Sequence, residues 1–336
     1  MPELGVPELI LAASIALALA YAYANGMNDA ANAVATVIST RALRPMTAVI
    51  MGGLLNAVGA VAGLLLGSLV AKTIGKGIID PSDMTQLAVM SAIGASVIWV
   101  FLATRLGFPV SVSHSLVAAV VGAGVAVAGW GALNTGVVVK VLLALALSPL
   151  LGFVGGFFLM LGLYWALRRR TPHVVNLWGR RLQILASAFL AFSHGRNDGQ
   201  NAVGIIALSW AVFYGRDLEI DVWMVLLSAA VIGIGTAFGG WRVIRTLGMR
   251  VTRLEPIQGF AANITAAAVI EAASNIGLPV STTHTSTSSI MGVGAIRRFS
   301  AVRWGVTRSI AVAWLVTYPF CLVLAWVLSK AFSVFD

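Results

Sequence analysis

This chain is short of charge, nearly without cysteine and sparing with acids. Only 10% of its 336 residues are charged and 59% are hydrophobic, against roughly 25% charged in an ordinary soluble domain. That deficit excludes a soluble globular protein, because one core cannot absorb so many apolar segments. Cys321 is the single cysteine, which excludes an intramolecular disulfide and any cysteine-based metal or redox cluster. It sits in an apolar run and reads as a packing residue. With only 12 acidic residues and 4 histidines, each one inside an apolar run calls for a physical reason. The first apolar segment has no basic stretch before it and no convincing small-residue cleavage site, so it reads as a retained helix rather than a signal peptide.

Long apolar stretches recur over residues 9–24, 48–71, 87–103, 137–167, 222–240 and 309–328, most of them able to cross a bilayer. The expected fold is all-α, a polytopic membrane protein with about 10–12 membrane segments. The net charge of +10 resembles that of a nucleic-acid binder, but its distribution argues otherwise. Arginines gather at 41 and 44, at 168–170, 180 and 181, at 242, 245, 250 and 253, and at 297, 298, 303 and 308. The connections between these groups pair Lys72 and Lys76 with Asp80 and Asp83, and Arg216 with Asp217, Glu219 and Asp221. Basic loops stay cytoplasmic. The charge is therefore a topology signal for a multi-pass protein of the cell membrane with both termini outside, and no nucleic-acid partner is expected. The tryptophans lie mostly near segment ends and read as interfacial anchors.

Two polar phrases each occur twice. Gly26-Met-Asn-Asp-Ala-Ala-Asn-Ala-Val34 returns as Gly195-Arg-Asn-Asp-Gly-Gln-Asn-Ala-Val203, and Gly107-Phe-Pro-Val-Ser-Val-Ser-His-Ser115 returns as Gly277-Leu-Pro-Val-Ser-Thr-Thr-His-Thr285. A duplicated unit with interrupted apolar segments at matching places is a signature of secondary transporters. The expected units are a first repeat over residues 1–167, a basic cytoplasmic linker over 168–181 and a second repeat over 182–336. An odd number of crossings per half would make the repeats inverted.

The first phrase supplies Asn28, Asp29 and Asn32 and their counterparts Asn197, Asp198 and Asn201. An aspartate at membrane depth costs about 2.5–3.5 kcal/mol on insertion scales, so it faces a cavity, a cation or a partner. Gly26 and Gly195 are expected to let the helix unwind, with Asn28 or Asp29 capping its restart and leaving N–H groups for an anion. The competing reading is that these residues only cap and join packed helices; its recurrence in two matched copies weighs against it. In the second phrase, Pro109 and Pro279 suit a first helical turn. Behind them lie Ser111, Ser113, His114 and Ser115, matched by Ser281, Thr282, Thr283, His284 and Thr285, whose hydroxyls and free amides suit phosphate-type oxygens. Segments 110–128 and 280–295 are short and glycine-containing, as expected of re-entrant hairpins.

His114 and His284 read equally as structural residues and as groups that orient a ligand or carry a proton. Asn56 and Asn263 read equally as helix glue and as part of a pathway. Glu271 is an unmatched acid that reads either as lining the pathway or as paired with Arg105 or Arg196. His194 has Asn25 as its counterpart, and His173 is a loop residue.

These phrases resemble the signatures of the PiT inorganic phosphate transporters, a doubled G-x-N-D-x-x-N-A and a doubled P-[VI]-S-x-[ST]-H. The resemblance runs over essentially the whole chain and includes residues 191–200 and 274–284. It implies a secondary transporter moving phosphate with a coupling cation, built on inverted repeats with broken helices and a site between them. The implied site comprises Asn28, Asp29, Asn32, Ser111, Ser113, His114, Ser115, Asn197, Asp198, Asn201, Ser281, Thr282, Thr283, His284 and Thr285. Met27 and Arg196 depart from the small residue frequent in the family. Sodium-coupled eukaryotic relatives carry glutamates where this chain has Asn56 and Asn263, which makes the chain more similar to bacterial proton-coupled members, some of which carry neutral metal-phosphate complexes. Coupling is thus assigned to Asp29, Asp198, Asn56 and Asn263, with H+ or Na+ as the ion, Na+ at Asp29 and Asp198, and no cofactor.

Coupling also follows from electrostatics. Moving a divalent anion inward against 100 mV costs about 4.6 kcal/mol, so uptake needs co-transported cations. Asp29 and Asp198 are the natural cation ligands, completed by carbonyls of unwound segments, and one repeat rocks against the other. Sulfate is the alternative oxyanion. A serine hydrolase using His114 or His284 is disfavoured, since an enzyme needs one nucleophile and one base rather than two matched sets. A passive channel is distinguished by its inability to accumulate substrate. The bilayer is an expected partner, as is a second copy of the chain in a homodimer.

Overall fold

The computed structural model describes residues 5–333; the termini expected outside, residues 1–4 and 334–336, lie beyond them. The described residues are almost wholly helical, with one isolated bridge between Ile79 and Leu133. The first half comprises α1 (Val6–Ser39), α2 (Pro45–Leu65), a short α3 (Leu69–Lys72) that runs into a π turn at Thr73–Gly77, α4 (Gln86–Leu106), α5 (Val112–Ala128) and α6 (Thr135–Leu167). The second half follows the same order: α7 (Pro172–Tyr214), α8 (Val222–Phe238), a short α9 (Trp241–Arg245) that runs into a π turn at Thr246–Arg250, α10 (Pro256–Asn275), α11 (Thr282–Ala295) and α12 (Trp304–Phe332).

The halves embrace. Helix α2 packs on α7 while α8 packs on α1, and α6 packs on α11 while α12 packs on α5. Each half thus completes its core with the other's helices. Helices α1, α2, α4, α6 and α12 are long and apolar enough to cross a membrane, and α8 together with α9 and its π turn is apolar enough to do so as a pair bent by 56°, either a broken span or a re-entrant loop. Its break falls at Gly239, whose φ of +64° is cheap only for glycine. The matching break after α2 uses Gly67 at φ +98°. Helices α5 and α11, at 17 and 14 residues, extend only about 26 and 21 Å, short of a hydrocarbon core of about 30 Å. The chain is a multi-pass membrane protein.

Two expectations are corrected. Helices α1 and α7 do not unwind at Gly26 and Gly195; both run through as continuous helix. These glycines instead permit contact between the halves. A Cβ on Gly26 would collide with the carbonyl oxygen of Ile232 on α8, and one on Gly195 with that of Asn56 on α2. Glycine in a helix interior costs up to ~1 kcal/mol relative to alanine, offset here by backbones packed in contact. Asn28 and Asp29 accordingly cap nothing, and no unwound carbonyls lie beside them. Second, the Thr171-Pro172-His173 sequence, expected as loop, opens α7 with Pro172 in its first turn, where a fixed φ and a missing N–H suit the helix.

The apolar interior divides in two. One cluster joins Ala18–Ala24 of α1 to Ala202–Leu208 of α7 with α4 and α5. The other joins Ala31–Val37 of α1 to Leu190 and Ala191 of α7 with α10 and α11. Between them each long helix carries its polar phrase, so the polar groups of both halves meet in a buried belt.

Candidate functional site

The starts of α5 and α11 converge on this belt. Ser111 and Ser281 are their N-caps, and each Oγ accepts the backbone N–H of the histidine three residues on, at 3.2 Å for His114 and 3.0 Å for His284. The two imidazoles lie with ring centroids 4.6 Å apart, and His284 packs 3.9 Å from the Trp314 ring. Two helix N-termini therefore face one region, each presenting first-turn amides and the positive end of its dipole.

Asp29 from α1 and Asp198 from α7 meet there, buried. Thr282 Oγ1 is 3.0 Å from Oδ2 of each carboxylate. Thr283 Oγ1 donates to Asp29 Oδ1 at 2.9 Å and accepts from Asn32 Nδ2 at 3.0 Å. His194 Nε2 lies 3.1 Å from Asp198 Oδ2 and 3.4 Å from Asp29 Oδ2. One atom each of Asp29, His194 and Asp198 lies within 4.8 Å of the others, a spacing that suits a single cation.

The asparagines repeat the twofold pattern. Asn28 Nδ2 donates to Thr104 Oγ1 at 2.7 Å and to the Phe108 carbonyl at 3.4 Å, while Asn197 Nδ2 donates to Ser274 Oγ at 2.8 Å and to the Leu278 carbonyl at 3.3 Å. A carbonyl partner requires the NH2 end, which orients both amides. Asn201 Nδ2 donates to Ser113 Oγ at 2.9 Å, mirroring Asn32 and Thr283. Oδ1 of Asn28, Asn32, Asn197 and Asn201 and Oδ1 of Asp198 are buried without partners among the described residues. Acceptors thus outnumber donors: Thr282 has one proton for two Oδ2 atoms that only His194 Nε2 also approaches, and five further oxygens have no partner among the described residues. Such a surplus calls for a cation or for a ligand that brings its own protons.

Not every expected residue joins this cluster. Ser115 Oγ turns back to the Val112 carbonyl and to Ser96 Oγ, and Thr285 Oγ1 to the Ser281 carbonyl. Asn56 donates to Thr236 Oγ1 and packs against Gly195, while Asn263 Oδ1 accepts from Thr36 Oγ1. Neither amide contacts Asp29 or Asp198, because the unbroken helices place them in helix crossings away from the two carboxylates. Glu271 pairs with Arg196, which also donates to Asn275 Oδ1. The residue that sequence reasoning left without a role is His194. Its spacing of four from Asp198 puts both on one face of a helix, a signal present in the sequence.

A profile described as the phosphate transporter family matches residues 25–325, from the first residue of the polar belt to the last helix. The chain belongs to the phosphate transporter family. It is similar to a protein of Rhizobium meliloti (strain 1021) described as a "probable low-affinity inorganic phosphate transporter", with 40% identity over 318 residues covering 94% of each chain. A Bacillus subtilis (strain 168) protein of the same description is 39% identical over 311 residues, covering 91% of this chain and 92% of its own. Among solved structures, one described as "The sodium-dependent phosphate transporter" superposes with a TM-score of 0.86 at 26% identity, covering 98% of this chain and all of its own. The family is one of transporters and not of enzymes.

Proposed function

We propose that this protein is a secondary active transporter that imports inorganic phosphate by cation symport, at a site between its two halves. One observation carries the reading: Thr282 at the start of α11 bridges the carboxylates of α1 and α7 with a single hydroxyl proton. The arrangement offers a cation its ligands in Asp29, Asp198 and the unpartnered amide oxygens, beside two helix N-termini that suit an anion. Phosphate keeps a proton near neutral pH, and that proton is a donor for Asp198 Oδ1; sulfate brings none. Binding of anion and cation is therefore mutually supporting, as coupling requires. Alternating access would be a rocking of one repeat against the other, with the repeats inverted and the basic loops inside. The Asp29–His194–Asp198 triad also supports a second reading, in which a divalent cation travels with phosphate as a neutral complex.

Purified protein in liposomes tests this with radiolabelled phosphate, driven by a sodium gradient, a proton gradient or neither, and with sulfate as competitor. Accumulation under one gradient, insensitive to sulfate and lost in Asp29→Asn, is the expected result and names the ion. Equilibration without a gradient would make the protein a facilitator. Sulfate flux without phosphate flux would overturn the substrate.

A further inference from the structure

Twelve residues beyond Thr282, at the far end of α11, Gly294 forms part of the wall of a separate cavity of about 640 Å³. Arg253, Arg297, Arg298 and Arg303 also line it, with Thr252, Gln258 and Ser300. Of the four guanidinium groups, only Arg297 meets a carboxylate among the described residues, that of Glu255. Arg303 donates to the Met249 carbonyl. Gln258 is buried; its Oε1 accepts the Glu255 N–H in a capping box, and its Nε2 donor has no partner among the described residues. A wall of guanidinium groups with a spare amide donor is donor-rich, the converse of the central site.

The matching positions of the first half show that this is not a feature of the repeat. The N-cap of α12 is Arg303 where that of α6 is Asn134, and Arg298 precedes the last 3-10 turn where Gly129 precedes its counterpart. Helix α11 itself differs from α5 in the same sense. Thr285, Ser286, Thr287, Ser288 and Ser289 follow its histidine, where Ser115, Leu116, Val117, Ala118 and Ala119 follow that of α5. Ser286 and Thr287 carry buried hydroxyls without partners among the described residues. Thr287 lies one turn beyond Thr283, on the way to Gly294, which is about 16 Å further along the axis than Thr283.

We propose that the arginine-lined cavity is a second oxyanion site, binding a phosphate group in series with the central site along α11. Resting on the reading of the centre as a phosphate site, it stages the anion on one face of the protein only. The phosphate group is either free orthophosphate or the headgroup of an anionic lipid. Guanidinium forks and the Gln258 amide hold its oxygens by charge-assisted hydrogen bonds.

The test uses the full chain in nanodiscs of phosphatidylcholine and equilibrium binding of radiolabelled orthophosphate at low salt. Arg253→Gln/Arg298→Gln removes two groups that make no hydrogen bond or ion pair among the described residues. Asp29→Asn/Asp198→Asn disables the centre. The expected result is two bound phosphates in the parent, one in each double variant, and a parent-like melting temperature for the arginine variant. Repetition with phosphatidylglycerol separates the sources: a free-phosphate site keeps its second phosphate, whereas a headgroup site loses it in the parent and binds the anionic lipid less in the arginine variant. Parent binding unchanged by the arginine substitutions in both lipids overturns the second site. Failure of the central reading is a different result, namely orthophosphate uptake that survives Asp29→Asn/Asp198→Asn.

Discussion

Thr282 Oγ1 stands 3.0 Å from Asp29 Oδ2 and 3.0 Å from Asp198 Oδ2, so one threonine of α11 holds together the acidic residues of both long polar helices. Its single proton serves one of them at a time, and His194 Nε2 is the other polar group beside both oxygens. Thr282 thus joins the halves at the carboxylates, together with Thr283 and His194, which also reach Asp29 from the second half.

Thr282→Val keeps the shape and removes the hydroxyl. A hydrogen bond to a charged group is worth about 1.5–3 kcal/mol, so uptake at low phosphate should fall by about 10- to 150-fold. Thr282→Ser should recover most of it. Initial rates in proteoliposomes check both, and valine at parent rates would remove Thr282 from the site.

His194 bridges the same two carboxylates from within α7. Replacing it by asparagine, the residue that occupies the matching position 25, should act on the coupling ion before the anion. The half-saturating concentration of that ion should rise about tenfold, since loss of an orienting partner beside an ion site costs about 10- to 100-fold in affinity. The phosphate KM at saturating ion should change less. Equal changes in both would mean that His194 only positions α7.

Arg196 is buried and holds Glu271 and Asn275 of α10. Its counterpart is Met27. Arg196→Met strands a partly buried carboxylate, and breaking a buried pair costs about 3–5 kcal/mol. Adding Glu271→Gln should return most of that. Thermal unfolding of the purified single and double variants measures the cycle, and additive losses would show that the pair does not act as one.

Gly195→Ala should destabilise, although alanine is the better helix former, because its Cβ meets the Asn56 carbonyl oxygen of α2. Gly162→Ala on α6 is the control: nothing lies within 4 Å of a Cβ there, so it should be neutral or stabilising by up to ~1 kcal/mol. Melting temperatures that move together would contradict the helix-crossing role of Gly195.

Membrane class and doubling were legible in the sequence because both are written in local composition. Apolar runs of bilayer length and two phrases repeated in order need no tertiary knowledge. The chemical types of the site were legible for the same reason: acids, amides and hydroxyls inside apolar runs are costly, and a matched pair of costly phrases marks a shared purpose. The starts of α5 and α11 were legible only approximately: Pro109 and Pro279, expected within a first helical turn, lie two residues before Ser111 and Ser281, which cap these helices.

What the glycines of the first phrase do was not legible. Gly26 and Gly195 permit both an unwound turn and a close helix crossing, and only the presence of α8 and α2 against them selects the second. The same holds for side chains that share a residue type. Ser113 and Ser115 are two residues apart and so point to different sides of α5, one toward Asn201 and one toward Ser96. Arg196 was ambiguous until α10 brought Glu271 to it. Local sequence therefore determined that this is a doubled membrane transporter and which polar groups it must hide. Only the tertiary structure decided which of them meet, because an unpaired polar group is costly in a membrane, and decisive partners such as Thr283 for Asn32 and Ser113 for Asn201 come from the other half of the chain.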